Sequence, residues 1–201
     1  MWQSAVHMKG FFFMGKTRET ITKTSQGTTR ETVLKALFIA LHVVLCYLTI
    51  RLWNMNITLS GLPIIIGAAL FGPVAGLEIG LIGSFLAQIL QYGFTATTLL
   101  WIIPAGVRGL TVGWYAMKKH YTMTKAELTA VVIVSSLLVT IINTVVMYLD
   151  SVIYGYFSYA YVFGALAFRL LSALITSVIY VTLTIPFLQR KDVLLYGRYN
   201  G

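Results

Sequence analysis

The chain has 201 residues, of which 58% are hydrophobic and only 10% are charged, and its mean hydropathy is +0.81. This composition excludes an ordinary soluble domain, which needs more charged surface to stay dispersed. The net charge of +9 lies in short segments between apolar runs, which indicates a membrane-topology signal and argues against a nucleic-acid-binding face. The single cysteine, Cys46, excludes an internal disulfide and a cysteine-based metal cage.

Residues 1–32 are polar and are predicted to form a cytosolic N-terminal leader. Within them, residues 10–17 read GFFFMGKT, a literal match to the phosphate-loop pattern G-x-x-x-x-G-K-[ST]. A working phosphate loop follows a buried strand and opens a helix, so that backbone N–H groups converge on the phosphates. Neither element is predicted beside this motif, and bulky Phe and Met residues fill its variable positions. We therefore expect the match to be accidental.

Six apolar segments follow the leader, and they predict an all-α integral membrane protein built as a bundle of six transmembrane helices. They cover about residues 33–50, 57–71, 73–92, 98–117, 127–149 and 161–188. A helix needs about 20 residues, with about 17 as the lower limit, to cross the hydrocarbon core. The second segment is short, and it is consistent with either a tilted span or a re-entrant element.

The distribution of basic residues predicts the orientation. Twelve of the 15 basic residues fall in the leader or at the start of the first segment, in the loop after the fourth segment, and after the sixth. With six spans all three regions lie on one side, so the positive-inside rule places both termini in the cytosol. The predicted location is a prokaryotic plasma membrane, which the chain crosses several times. Residues 33–190 would form the membrane domain and residues 191–201 a cytosolic tail.

Small residues spaced by four positions mark expected helix contacts, since close backbone approach is a main source of helix association in lipid. Gly76 and Gly80 in the third segment, and Gly109 and Gly113 in the fourth, are interpreted as packing faces inside the bundle. Ala36 and Ala40 form a similar stripe in the first segment, next to the leader. That stripe suits a contact with another subunit equally well.

Three charged residues lie within apolar segments, where a charge usually has a partner or a task. Glu78 and Arg108 are predicted at similar depths, and an internal ion pair between them would explain both. Arg169 has no acidic residue predicted at its depth except Asp150 in the adjoining loop. Its planar guanidinium is a candidate anchor for a ligand carboxylate, and Arg108 is a second candidate.

Uncharged polar residues and aromatic residues are predicted near the outer surface or in the middle of the bundle. They complete the list of candidate binding residues. The tyrosines of residues 154–163 form either a wall over a ligand or an interfacial belt, and interfacial anchoring is the simpler explanation for the tryptophan near the end of segment one. The candidates are Gln88, Gln91, Asn143, Tyr154, Tyr159, Tyr161 and Trp53.

Neither a catalytic set nor a metal or cofactor site is predicted. His7, His42 and His120 are scattered over the leader, the first segment and a cytosolic loop, and paired carboxylates are missing from the pattern. Besides a role in ligand binding alone, two other functions remain open for this membrane chain. One is a self-sufficient secondary carrier for a small anionic metabolite, and the less favoured one is an integral membrane enzyme.

The middle of the chain resembles a known family. Residues 62–90, LPIIIGAALFGPVAGLEIGLIGSFLAQIL, and residues 99–115, LLWIIPAGVRGLTVGWY, are similar to the substrate-binding S components of energy-coupling factor (ECF) vitamin importers, most closely to the folate-type branch. The resemblance covers about residues 30–190. It implies an outward-facing pocket for a water-soluble vitamin, folate or pantothenate, and no enzymatic activity in this chain.

The same resemblance implies the partners. An S component associates with a membrane coupling subunit and two cytosolic ATPase subunits, which would carry the ATP hydrolysis that this chain lacks. In that family an alanine pair in the first helix docks onto the coupling subunit, so the resemblance assigns this role to Ala36 and Ala40.

Overall fold

The computed structural model describes residues 29–52 and 55–189. The phosphate-loop match at residues 10–17, Trp53 and the predicted tail from residue 191 lie outside the described residues, as does most of the predicted leader. The described chain is helical apart from one two-stranded sheet. Its elements are α1 (29–47), β1 (Thr49–Leu52), β2 (Met55–Thr58), α2 (Gly61–Phe71), α3 (Pro73–Tyr92), α4 (Thr98–Lys118), α5 (Lys125–Ile153), α6 (Tyr159–Phe163) and α7 (Leu166–Gln189).

The helical fold class is confirmed for the described residues, and the hairpin is an addition that the sequence did not predict. Strands β1 and β2 pair antiparallel, with Thr49 opposite Thr58 and Leu52 opposite Met55. Both strands are rich in β-branched Thr and Ile, which favour an extended backbone, and each is too short to show a clear periodicity. The hairpin also takes residues that the sequence assigned to the second apolar segment, so α2 begins at Gly61.

Three described helices are long and apolar enough to cross a membrane: Pro73–Tyr92, Lys125–Ile153 and the α6–α7 region Tyr159–Gln189. Helix α2 is apolar as well, but it has only 11 residues. Ten of these are buried, since α2 packs against α3, α4 and α7. A helix enclosed by protein can be apolar on all faces and need not match the bilayer thickness. This explains why the second apolar segment is too short for an ordinary span.

Two clusters of buried side chains form the core around α2. The first joins α2, α4, α5 and α7 through residues such as Ile65, Val112, Val132 and Tyr180. The second joins α1, α2 and α3. Helix α2 therefore contributes opposite faces to both clusters and lies at the centre of the bundle.

Helices α3 and α4 approach each other closely along glycines. A Cβ atom on Gly76 would lie 2.6 Å from the carbonyl oxygen of Gly109, and one on Gly80 would lie 2.5 Å from that of Ala105. A Cβ on Gly113 would lie 2.5 Å from the Cα of Pro73. These separations leave no space for a side chain, so the predicted packing role of all four glycines is confirmed.

Candidate functional site

Three adjoining cavities run through the described part of the bundle. The first has a volume of about 260 Å³ and lies between α1, the start of α2, α3, α4 and α5. Three of its polar lining residues, Gln88, Gln91 and Asn143, are amides that can donate and accept hydrogen bonds. Its other polar and charged lining residues are His42, Thr58, Ser60, Ser84 and Arg108, together with Cys46 and the aromatic Tyr92 and Trp101.

The second cavity, of about 440 Å³, lies between α4, α5 and α7. It shares Thr58, Arg108, Val139 and Asn143 with the first cavity, so the two meet at Arg108. Arg169 also lines it, and no acidic residue of the described chain does. The electrostatic character of this cavity is therefore positive.

The third cavity, of about 390 Å³, lies where α3 ends and α4 begins, next to the turn after α5. It shares Gln88, Tyr92 and Trp101 with the first cavity and adds Asp150, Tyr154 and Tyr156. Aromatic rings make up much of its wall. Of the predicted site residues, Arg108, Arg169, Gln88, Gln91, Asn143 and Tyr154 thus line this connected system.

The predicted ion pair between Glu78 and Arg108 is wrong. Lys35 Nζ lies 2.9 Å from Glu78 Oε2, so the carboxylate pairs with α1 and not with α4. Arg108 instead lies over the ring of Tyr180, with its guanidinium carbon 5.3 Å from the ring centroid. Its Nη1 donates to the Tyr180 hydroxyl at 3.4 Å, while its buried Nε has no hydrogen-bond partner among the described residues.

Tyr180 holds the start of α2 in place beneath Arg108. Its hydroxyl donates to the carbonyl oxygen of Thr58 at 2.7 Å and accepts from the backbone N–H of Gly61 at 3.2 Å. The ring is almost completely buried. A tyrosine in an apolar helix gave no signal in the sequence, because its role depends on residues 119 and 122 positions away.

Arg169 has two backbone partners. Its Nη1 and Nη2 donate to the carbonyl oxygens of Val162 and Tyr161 at 3.3 and 3.4 Å. These bonds tie α7 to the short helix α6. Asp150, the acidic residue suggested for it from the sequence, belongs to helix α5 and is held by other groups.

Asp150 fastens the turn after α5 to α4. It accepts hydrogen bonds from Trp101 Nε1 at 3.2 Å and from the hydroxyl of Tyr156. The hydrogen bond to Asp150 raises the pKa of Tyr156 above its ordinary value, and desolvation adds a smaller increase. Trp101 therefore helps to form the wall of two cavities.

His42 is another residue whose role the sequence did not reveal. Its Nδ1 lies 2.6 Å from the carbonyl oxygen of Ser60, and its Nε2 lies 3.1 Å from Ser84 Oγ. Because a carbonyl oxygen can only accept, Nδ1 carries the proton and a neutral ring has Nε2 free to accept from Ser84. His42 thereby joins α1 to α3 at the wall of the first cavity.

The remaining predicted residues lie at the surface. Tyr159 is 74% exposed, and Tyr161 packs edge-on against Tyr156 with ring centroids 5.5 Å apart; neither lines the three cavities. Ala36 and Ala40 are exposed on α1, next to the exposed Val33, Leu37 and Val44. Within residues 29–52 and 55–189, no group of three or more His, Cys, Asp or Glu is placed to hold a metal ion.

Comparison with known proteins gives curated relatives and a solved structure. The chain is 35% identical over 65 residues to a UPF0397 protein of Lactobacillus johnsonii and 41% identical over 76 residues to one of Leuconostoc citreum. These matches span 32% and 38% of this chain and only 34% and 37% of the relatives. A solved structure described as the S component of a bacterial ECF transporter matches with a TM-score of 0.57, 15% identity, and coverage of 84% of this chain and 98% of that one. At that identity the match shows a shared fold.

The family model for the ECF-type riboflavin transporter S component matches residues 26–189. That range takes in every described helix and strand, and it includes all three cavities. The predicted resemblance to ECF S components is thereby confirmed, whereas the folate-type branch remains a prediction. The chain belongs to the ECF-type riboflavin transporter S component family, whose members are non-enzymatic, membrane-embedded substrate-binding subunits of ECF importers.

Proposed function

We propose that this chain captures a water-soluble, anionic vitamin in the connected cavities and delivers it inward as part of an ECF importer. The observation that carries the proposal is the lining of the second cavity, where Arg108 and Arg169 approach from different helices and no described acidic residue balances them. Guanidinium groups without a carboxylate partner are costly inside an apolar bundle, and a ligand anion would offset that cost. Folate and pantothenate, the two vitamins expected from the sequence, both carry a carboxylate.

The proposed topology has six spans with both termini in the cytosol. Helices α3, α5 and the α6–α7 region have the length and hydropathy for spans, and α1 and α4 accompany them in the bundle. The segment 118–125, which contains three lysines, then faces the cytosol, and the third cavity opens toward the outside. This orientation suits capture from the medium.

The proposed partners are a membrane coupling subunit and two cytosolic ATPase subunits. The exposed face of α1 with Ala36 and Ala40 is the proposed docking surface, since small residues allow a close helix approach. ATP hydrolysis would take place on the partners.

A flavin is the second candidate substrate, because the family description names riboflavin. The aromatic wall of the third cavity favours a planar ring: Trp101, Tyr92, Tyr154 and Tyr156 all contribute to it. The amides Gln88 and Gln91 lie close enough to the same region to bind ring carbonyl and N–H groups.

Mass spectrometry of the compound retained by the detergent-purified chain would identify the substrate. Titration of that compound should then show an affinity that falls about tenfold in Arg169→Gln if a carboxylate is bound, because a positive charge beside that carboxylate is lost. Lys125→Gln, which removes an exposed charge far from the cavities, is the matched control. Purified protein that retains and binds no vitamin would contradict the proposed function, and an unchanged affinity in Arg169→Gln would remove Arg169 from the site.

A further inference from the structure

The hydroxyl groups of the second cavity are not equivalent. Four serine and threonine side chains of helices α5 and α7 line it, and three of them donate to a carbonyl oxygen one turn earlier in their own helix. Thr140 donates to Ser136 at 2.9 Å, Ser172 to Phe168 at 2.8 Å, and Thr176 to Ser172 at 2.6 Å. These three hydroxyls have used their proton, so they can offer only lone pairs to a ligand.

Ser136 is the exception among these lining residues. Its side chain is 3% exposed, and its Oγ has no hydrogen-bond partner within the described residues. Buried polar atoms are nearly always hydrogen-bonded, so an unpaired one beside a cavity points to a ligand. Ser136 is therefore a lining residue of the space between α4, α5 and α7 whose O–H donor is not used by any described group.

Arg108 supplies a second free donor to the same space. Its Nη1 is occupied by Tyr180, whereas its Nε is buried and unpartnered in the described chain. Arg169, by contrast, already uses Nη1 and Nη2 on the carbonyl oxygens of Val162 and Tyr161. Arg169 thus contributes positive charge and holds α6, while Arg108 and Ser136 each have a buried donor that no described group uses.

We propose that the second cavity is an anion subsite in which Ser136 Oγ and Arg108 Nε donate hydrogen bonds to a carboxylate or phosphate monoester of the ligand. The uncharged part of the same ligand occupies the first cavity, whose amides Gln88, Gln91 and Asn143 suit neutral polar groups. This inference rests on the proposed function, and it makes Ser136 a residue that determines specificity.

Two matched pairs of probes test the subsite with the full chain in detergent or nanodiscs. Pantothenate and its alcohol pantothenol differ by a carboxylate, and riboflavin 5′-phosphate and riboflavin differ by a phosphate. Dissociation constants are measured for the wild type, Ser136→Ala, Arg108→Lys and the control Ser172→Ala. The control removes a hydroxyl from the same cavity that already donates to Phe168.

We expect the wild type to bind the charged member of one pair at least about tenfold more tightly than the neutral member. Ser136→Ala should lower the affinity for the charged probe about tenfold and leave the neutral one within about twofold. Arg108→Lys keeps the positive charge but lacks the guanidinium Nε, so it should also lower the affinity for the charged probe. Ser172→Ala should change neither affinity by more than about twofold. The pair of probes whose charged member binds more tightly, and loses that advantage in Ser136→Ala, shows whether the anion is a carboxylate or a phosphate.

Equal affinities for the charged and neutral members of both pairs, or equal losses in Ser136→Ala and Ser172→Ala, would overturn the anion subsite and leave vitamin capture standing. Failure of the wild type to bind any of the four probes would overturn the subsite as proposed, whereas the proposed function would be overturned only if the purified chain also retains and binds no vitamin. Melting temperatures of the variants show whether a loss of affinity reflects unfolding; Ser136→Ala removes a single oxygen atom and should keep the wild-type value.

Discussion

Gly76 and Gly109 bring the backbones of α3 and α4 into direct contact, and a Cβ atom on either glycine would meet the backbone of the other. Ala substituted at Gly109 should therefore force the helices apart and destabilise the fold by about 1–3 kcal/mol or more. The measurement is the melting temperature of the purified chain in detergent.

Gly67→Ala is the matched control for that substitution. The nearest atom to a Cβ at Gly67 is the Cδ1 tip of Ile79, a side-chain end that can shift more easily than backbone can. Gly67→Ala should therefore lower the melting temperature less than Gly109→Ala. Equal effects of the two variants would show that backbone contact does not limit the packing of α3 against α4.

Tyr180→Phe keeps the ring beneath Arg108 and removes the hydroxyl that binds Thr58 and Gly61. Because two buried backbone groups lose a partner, stability should fall by about 1–3 kcal/mol. Hydrogen exchange should also increase at the start of α2. Tyr159→Phe, which removes a hydroxyl from a largely exposed side chain, should have no such effect. Unchanged exchange in Tyr180→Phe would contradict the structural role of this hydroxyl.

The Asp150–Tyr156 hydrogen bond should make the turn after α5 sensitive to alkaline pH. The raised pKa of Tyr156 means that its stabilising contribution is fully present below the ordinary tyrosine value of 10.0 and is lost as pH rises through the higher folded-state value. Spectrophotometric titration should show one tyrosine ionising later than the others, and Asp150→Asn should bring it back toward the ordinary value. A titration unchanged by Asp150→Asn would contradict this assignment.

The exposed face of α1 should govern assembly with the proposed coupling subunit. The double substitution of Ala36 and Ala40 by Trp adds bulk where the side chains are exposed, so the isolated chain should stay folded while co-purification of the partners is lost. Val178→Trp, on the exposed face of α7, is the control and should assemble normally. Intact assembly of the double variant would rule out this face as the docking surface.

The sequence predicted the helices and their close contacts better than the polar pairings. Four-residue glycine spacing depends only on local geometry, so the pattern predicted packing faces at these glycines, although it did not predict that Gly76 meets Gly109. The hairpin between α1 and α2 did not, because its strands have four residues each. Arg108, Gln88 and Asn143 were recognised as site candidates because polar residues in apolar helices are conspicuous.

Polar partners were harder to predict because they depend on rotation about each helix axis as well as on depth. Glu78 was matched in depth with Arg108, yet its side chain faces α1 and pairs with Lys35. The structural roles of His42 and Tyr180 could not be predicted, since each depends on hydrogen bonds with residues distant in the chain. Ser136 resembles any helix serine in the sequence, and only the hydrogen bonds of its neighbours distinguish it.

The ion pair of Lys35 with Glu78 and the contact of His42 with Ser84 attach α1 to α3 at two points along its length. One helix, about 10 Å wide, thus has the first cavity on one side and the exposed alanine face on the other. A ligand that shifts His42 would move the surface offered to a partner. Thermodynamic reciprocity then requires the partner to change vitamin affinity by the same factor by which the vitamin changes partner affinity.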